Sequence, residues 1–304
     1  PTLSDCVITG HTNSGIRVEN GRDPLLERNT ITGNTATQGA GIHIWGSATL
    51  VANTISGNTA GEDGGGLLSS GTVTLAGNTI TGNSADQGGG IYMASVSVRL
   101  LGDTISNIHP DDDGGAIYVD SLEPLTCQAV RFTGNTAGDD GGAIYVKSSS
   151  YKVSFTNSLF AGNSATRNAV GYWRSGSAPQ VERCTFAHNT GATVLYSSVV
   201  ARNCIFHNPG TTTEYTMNPR YRSEYCLIRG YTGSGVVGTF GADPVFVDPA
   251  GGDYRLAGNS PCINAGDPFF YDPTFGRDPE TDAAGAPRIR NGRLDIGAYE
   301  YGMP

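Results

Sequence analysis

The stretch Asn29-Thr-Ile-Thr-Gly-Asn34 decides the fold, because variants of it return along most of the chain. With its last residue as a marker, the series runs His11, Asn34, Asn58, Asn83, Ile108, Asn135, Asn163, Asn189 and Asn208, at gaps of 23, 24, 25, 25, 27, 28, 26 and 19 residues. Three positions before each marker stands an apolar side chain: Ile8, Ile31, Ile55, Ile80, Ile105, Phe132, Phe160, Phe186 and Ile205. A fixed apolar column between loops of drifting length is the mark of a solenoid.

Each repeat holds two further short runs. One follows glycines, as in Gly39-Ala-Gly-Ile-His-Ile44, Gly114-Gly-Ala-Ile-Tyr-Val119 and Gly141-Gly-Ala-Ile-Tyr-Val146; the other alternates, as in Thr72-Val-Thr-Leu75. Apolar residues at every second position, rich in Val, Ile, Thr and Tyr, read as strands, and no useful 3.6-residue stripe is present. Three strands and three turns per repeat describe one coil of a parallel β-helix, with coils stacked ~4.8 Å apart. The expected fold is all-β, about nine coils over 1–208, with 209–304 forming final irregular coils and a C-terminal cap of the same domain. Pro209 to Ser223 reads as a loop. The spacing Leu50-x-x-Asn53-x-Ile55-x-x-Asn58 imitates a leucine-rich repeat, but the other half-repeat is Gly-Gly-Gly plus alternating strands, which that architecture does not use.

The 304 residues are 38% hydrophobic with 44 glycines and a net charge of −9. Lys147 and Lys152 are the only lysines. Such an acidic chain lacks the electrostatic footprint of a nucleic-acid binder and is repelled by anionic membranes. No apolar run approaches the ~20 residues of a membrane span. The chain starts at Pro1 almost directly in repeat sequence, so a piece of a longer protein is expected, and its first coil invites end-to-end self-association. Of six cysteines, Cys6 and Cys184 occupy the column of Asn29, Asn53 and Asn78. Cys184 and Cys204 fall at neighbouring offsets, hence on opposite faces, which argues against a bridge; Cys226 and Cys262 are the candidate disulfide.

Two resemblances follow from named segments. Gly114 to Ile117, Gly141 to Ile144, and the Phe-x-x-Asn segments ending at Asn135, Asn163 and Asn189 resemble the repeats of chlamydial polymorphic outer-membrane proteins, β-helical passenger domains that act as adhesins. The run Asp243-Pro-Val-Phe-Val-Asp-Pro249, Ser260-Pro-Cys-Ile-Asn-Ala-Gly-Asp267, Gly285-Ala-Pro-Arg288 and Asn291-Gly-Arg-Leu-Asp-Ile-Gly-Ala-Tyr-Glu300 resembles the end of the β-helix in bacterial choice-of-anchor Q surface proteins. Together they imply a right-handed β-helix on a secreted or cell-surface bacterial protein, and no particular reaction.

Candidate sites lie in columns. Counting back from the second strand places Glu62, Asp86, Asp112 and Asp139 at one turn, with Asp113 and Asp140 beside them. These six are candidate Ca²⁺ ligands, since calcium takes many oxygen ligands from flexible loops; solvated surface charge is the plainer reading. No cofactor is otherwise required. One residue after the buried position come Tyr92, Tyr118, Tyr145 and Tyr172, with Trp173 next, a candidate glycan-stacking strip or a tyrosine ladder stacking on itself. The scattered cations Arg99, Arg131, Lys147, Lys152, Arg167, Arg174 and Arg183 give no single catalytic centre. His188 and His207, each preceding a marker, are neighbours without an evident third ligand. Arg288, Arg293, Asp295 and Glu300 are expected to pair and hold the cap. The reading is therefore an extracellular structural or adhesive module assembling head to tail. The alternative is a polysaccharide-binding or polysaccharide-cleaving β-helix, with extracellular glycans as partners.

Overall fold

A computed structural model describes residues 1–94, 97–120, 123–148, 153–174, 178–215, 223–233, 236–268, 281–288 and 293–302. Asn291 and Gly292 of the C-terminal motif and 216–222 of the expected loop lie outside the described residues. Three long parallel sheets of ten, nine and ten strands wrap one core, each strand pairing with its equivalent in the coil before and after. We name them by what they bury or present.

The isoleucine sheet contains Thr30–Thr32 and pairs Ile8, Ile31, Ile55, Ile80, Ile105, Phe132, Phe160 and Phe186 in register. The tyrosine sheet contains Ile42–Ile44 and aligns Ile16, Ile42, Leu67, Ile91, Ile117 and Ile144. The leucine sheet contains Ala48–Val51 and aligns Leu26, Leu50, Leu75, Leu100, Cys127 and Phe155. All these columns feed one continuous core cluster. Phe132, Phe160, Phe186 and Phe206 stack at ring spacings of 4.8, 4.7 and 4.7 Å, which is the coil repeat itself.

The two corners beside the isoleucine sheet are closed by buried asparagines. From Gly10 to His188 the residue before each marker has positive φ and turns the chain, as at Gly33, Gly57 and Gly82 at +63°, +60° and +61°, which suits glycine. The asparagine that follows points inward. Asn34 donates from its backbone N and its Nδ2 to Asn58 Oδ1, and Asn58 does the same to Asn83. Asn58 Nδ2 also donates to the Ile31 carbonyl. A matching ladder at the other corner runs Asn29, Asn53, Asn78 to Asp103. In a dry core each unmade bond costs about 1–3 kcal/mol, so these ladders penalise any slip of register.

Several expectations need correction. In the ninth coil Phe206, not Ile205, pairs with Phe186. Asn208 still accepts from Asn189, so the corner is one residue shorter there. Ile205 turns outward to join Leu227, Leu256, Cys262 and Ile296. The same slip places Cys184, Cys204 and Cys226 in one inward column, where the backbone N of each donates to the next sulfur at 3.4 Å. Cys226 and Cys262 are both free thiols in separate clusters, so no bridge joins them. Thr211–Tyr215 is a strand of the tyrosine sheet rather than loop, and Ser223–Glu224 and Leu227–Ile228 add a further rung.

The C-terminal segment does more than close the end. Val237 and Phe240 accept from Tyr225 and Ile228 under the last coil. The antiparallel pair Phe246–Asp248 and Asp253–Leu256 then brings Tyr254 against Leu159, Ala161 and Ala187 on the outside of the isoleucine sheet. From there the chain runs back along the rod as a strap. Gly297 N donates to Asn203 O, Ala298 N to Thr185 Oγ1, Asn157 Nδ2 to Thr281 O, and Arg131 to Tyr299 Oη at 2.8 Å.

Arg288 is the pin. It is 1% exposed, donates to Asn157 Oδ1 and the Gly297 and Ala298 carbonyls, and pairs with Glu300 at 3.0 Å. Burial pushes Glu300 up to about 7, with Arg288 pulling it back down. Of the other expected pairing residues, Asp295 accepts backbone N–H bonds from Asn264 and Tyr301, and Arg293 donates to the Gly266 carbonyl.

Two outcomes are expected. Arg288→Ala strands a buried carboxylate and should destabilise the fold by about 3–5 kcal/mol, with the first proteolytic cuts falling between 281 and 302; urea unfolding and limited proteolysis check this. Asp103 lies fully buried with no paired cation among the described residues, and burial raises it from 3.8 to about 6. Its folded state therefore holds the proton more tightly than the unfolded chain, so the linked stability is full below the unfolded value and is lost as pH rises through about 6. Asp103→Asn keeps an oxygen for Asn78 and adds an amide toward the Leu75 carbonyl, as Asn78 does toward Leu50, but gives up the oxygen that accepts the Leu101 N–H. Denaturation at neutral pH should show a net gain of about 1–2 kcal/mol that vanishes near pH ~3.5.

Candidate functional site

The tyrosine sheet presents an outward column of Arg17, His43, Leu68, Tyr92, Tyr118, Tyr145 and Tyr172. Neighbouring tyrosine rings stack at 5.1, 4.9 and 5.2 Å with nearly parallel planes, and the stack continues to Tyr196 at 5.3 Å. Stacking consumes the ring faces. Tyr118 and Tyr145 are only 4% and 7% exposed, whereas Tyr196 is 49% exposed. A sugar thus finds no free face along the middle of this column. Tyr196, the exposed member, went unnoticed in the sequence, although it follows the next inward leucine as Tyr172 follows Gly171.

Trp173 does not belong to the strip. It pairs with Val146 and packs inward, edge-on to Phe155. The reason is Gly171, which occupies the inward position of Ile144; a Cβ there would collide with the Trp173 ring. The indole fills the space that the glycine leaves.

At the other end of the column His43 stacks on Trp45 at 3.6 Å, and Arg17 lies 4.7 Å above Trp45. Burial, and then Arg17, push His43 down to about 4.

The carboxylates flank this wall in the expected register. Asp63 bridges Gln87 and Asp140 bridges Asn168 across successive coils, while Asp140 N donates to Asp113 Oδ1 at 2.9 Å. Interleaved amides ease the repulsion: Gln38 Nε2 donates to Glu62 at 2.9 Å and Asp63 at 3.0 Å. Burial raises Asp63, and raises Asp113 to about 6 against the lowering effect of the Asp140 N–H.

The six candidate ligands fall into two groups. Glu62, Asp86 and Asp112, with Asp63, Gln87 and Asp111, line an open groove of ≈540 Å³. Asp113, Asp139 and Asp140 bring carboxylate oxygens within 4.8 Å of one another. That second trio already has a cation, because Arg167 donates to Asp139 and, at 2.6 Å, to Asp140. Arg167 stands 28 residues after Asp139, the gap that also separates Asn135 from Asn163, so its place in the acid column was readable. Of the other cations, Lys147 pairs with Asp120 at 2.8 Å, and Asp120 also accepts from Tyr92 Oη at 3.3 Å.

These features fix what the chain is similar to. The sequence profile of the family described as "Right handed beta helix region" matches residues 1–165. The chain belongs to the right-handed β-helix family. No curated protein matches it. Among solved structures it is similar to pectate lyase Pel9A, at 14% identity and a TM-score of 0.51, covering 97% of this chain and 88% of that one. At that identity the likeness concerns the fold alone. A right-handed β-helix is thus what remains of the two resemblances read from the sequence. Among the described residues of this β-helix, no helix is long and apolar enough to cross a membrane.

The tyrosine ladder makes a prediction of its own. Tyr118→Ala should open a void between two stacked rings and cost about 3 kcal/mol; a urea midpoint indistinguishable from the parent would show that the stack adds nothing.

Proposed function

We propose that this β-helix is an extracellular bacterial surface module that binds an acidic polysaccharide through Ca²⁺ held in the open groove. The observation that carries the reading is the groove of Glu62, Asp63, Asp86, Asp111 and Asp112, which runs across successive coils. No Lys or Arg among the described residues forms a salt bridge with any of these five carboxylates. Like charges on neighbouring coils repel by roughly 1 kcal/mol per pair even at the dielectric of water. A divalent cation relieves that repulsion and leaves coordination positions for a ligand's carboxylates.

Binding fits the geometry better than cleavage. No Lys or Arg among the described residues lines the groove, and Arg131, Lys147 and Arg167 are engaged with Tyr299, Asp120, and Asp139 and Asp140 respectively, so the groove has no cation placed to act as a base. The fold neighbour is named a pectate lyase, which supports a polysaccharide as the ligand class without carrying its reaction over. The groove offers side chains to a ligand, and no feature of the described residues favours end-to-end assembly over it.

Affinity electrophoresis against neutral, acidic and amino-sugar polymers, with Ca²⁺ and with chelator, tests this. Calcium-dependent retardation by an acidic polymer is expected, with the combined variant Glu62→Gln, Asp86→Asn, Asp112→Asn losing about tenfold or more in affinity. Retardation that survives chelator or the triple variant, or none with any polymer, would sink the proposal.

A further inference from the structure

His188 and His207 meet where the last coils join the C-terminal segment. His188 takes the corner position held by Gly134 and Gly162, with φ +54° in the left-handed region, and its backbone N donates to the His207 carbonyl at 3.2 Å. Only Asn107 and His188 replace glycine between Gly33 and His188 in this corner column, and a non-glycine residue there carries local strain. His207 ends the strand Ile205–His207, at the position held by Ala187 one coil earlier. The two rings lie 6.2 Å apart between centroids, nearly edge to face at 68°. Tyr254 of the C-terminal hairpin covers His188 at 5.8 Å.

The Nδ1 atoms of both rings are buried, and neither meets a hydrogen-bond partner among the described residues. Two orphaned nitrogens on adjacent coils call for a common explanation, since an unpaired buried nitrogen is costly. An imidazole binds a transition metal at about 2.1 Å, so two rings sharing one ion have centres ~5.3 Å apart at a tetrahedral angle and ~6.5 Å apart when trans. The observed 6.2 Å lies toward the trans end of that range, the geometry that tetragonal Ni²⁺ and Cu²⁺ take.

We propose that His188 and His207 form a two-imidazole site for a nitrogen-preferring transition-metal ion such as Zn²⁺, Ni²⁺ or Cu²⁺, seated beneath the C-terminal hairpin. Water completes the coordination. Asp243 and Glu214 supply negative field at His207, against Arg229 and His188, which favours a cation there. The site is independent of the acidic groove, and the ion would fasten the hairpin to the last coils.

Titration calorimetry with Ni²⁺ or Zn²⁺, with excess Ca²⁺ added to compete at the carboxylates, tests it on the whole chain. One ion is expected at micromolar affinity, with a rise in melting temperature and, for Cu²⁺, nitrogen hyperfine structure in the electron paramagnetic resonance spectrum. His188→Gly and His207→Ala install the residues native to the equivalent positions of neighbouring coils, so both should fold, with circular dichroism as the check. Each should weaken binding at least tenfold. No binding by the parent chain, or affinity unchanged in both variants, overturns the proposal.

Discussion

The rest of the structure depends on the buried carboxamide that bonds to its own counterpart one coil away. Strand pairing alone tolerates sliding, because a parallel ladder looks alike at every second residue. The corner asparagines remove that freedom. Asn29 and Asn34 each send two bonds to the next coil, and a slip would bury their donors unpaired. With both ends of the isoleucine strand fixed, every outward side chain is carried along in register, including tyrosines and acids that touch neither ladder.

This also explains which parts were legible in advance. A column reads directly from sequence while its spacing to the marker is constant, as from Ile8 to Phe186. At Phe206 the ladder survives through Asn208 but the corner loses a residue, and counting three positions back lands on outward-facing Ile205. Nothing in the local sequence marks the shortened corner, because isoleucine and phenylalanine both suit a buried strand. Trp173 is different. Alternation already assigned it to the inner face beside outward Tyr172, and Gly171 supplied the space, so the information was present.

The strap was written in the sequence as a change of polarity. On the outer face of the isoleucine sheet the early coils carry Thr30 and Thr32, then Thr54 and Ser56, then Thr79 and Thr81. From the seventh coil the same positions become Leu159 and Ala161, then Thr185 and Ala187, then Ile205. Apolar outward residues in a solenoid need a cover, and the hairpin and strap supply it through Tyr254, Ala298 and Tyr299. What the sequence could not show is the direction of travel. Arg288 reaching Asn157, and Tyr299 reaching Arg131, are contacts across 131 and 168 residues that no local pattern encodes.

A repeating scaffold multiplies whatever it displays, and that shapes where chemistry is found on it. The tyrosine column satisfies itself, since every ring added covers the faces of its neighbours. The acid column behaves oppositely, because each added carboxylate raises the local field and must be offset by an amide, a cation or a ligand. Gln38 eases it at one end through Glu62 and Asp63, and Arg167 neutralises it at the other, leaving Glu62, Asp86 and Asp112 with no cation among the described residues and open to any ion that arrives. Function in such a rod is therefore sought where a column is uncompensated or interrupted, at the middle of the acid row and at the two histidines, rather than where the repeat is most regular.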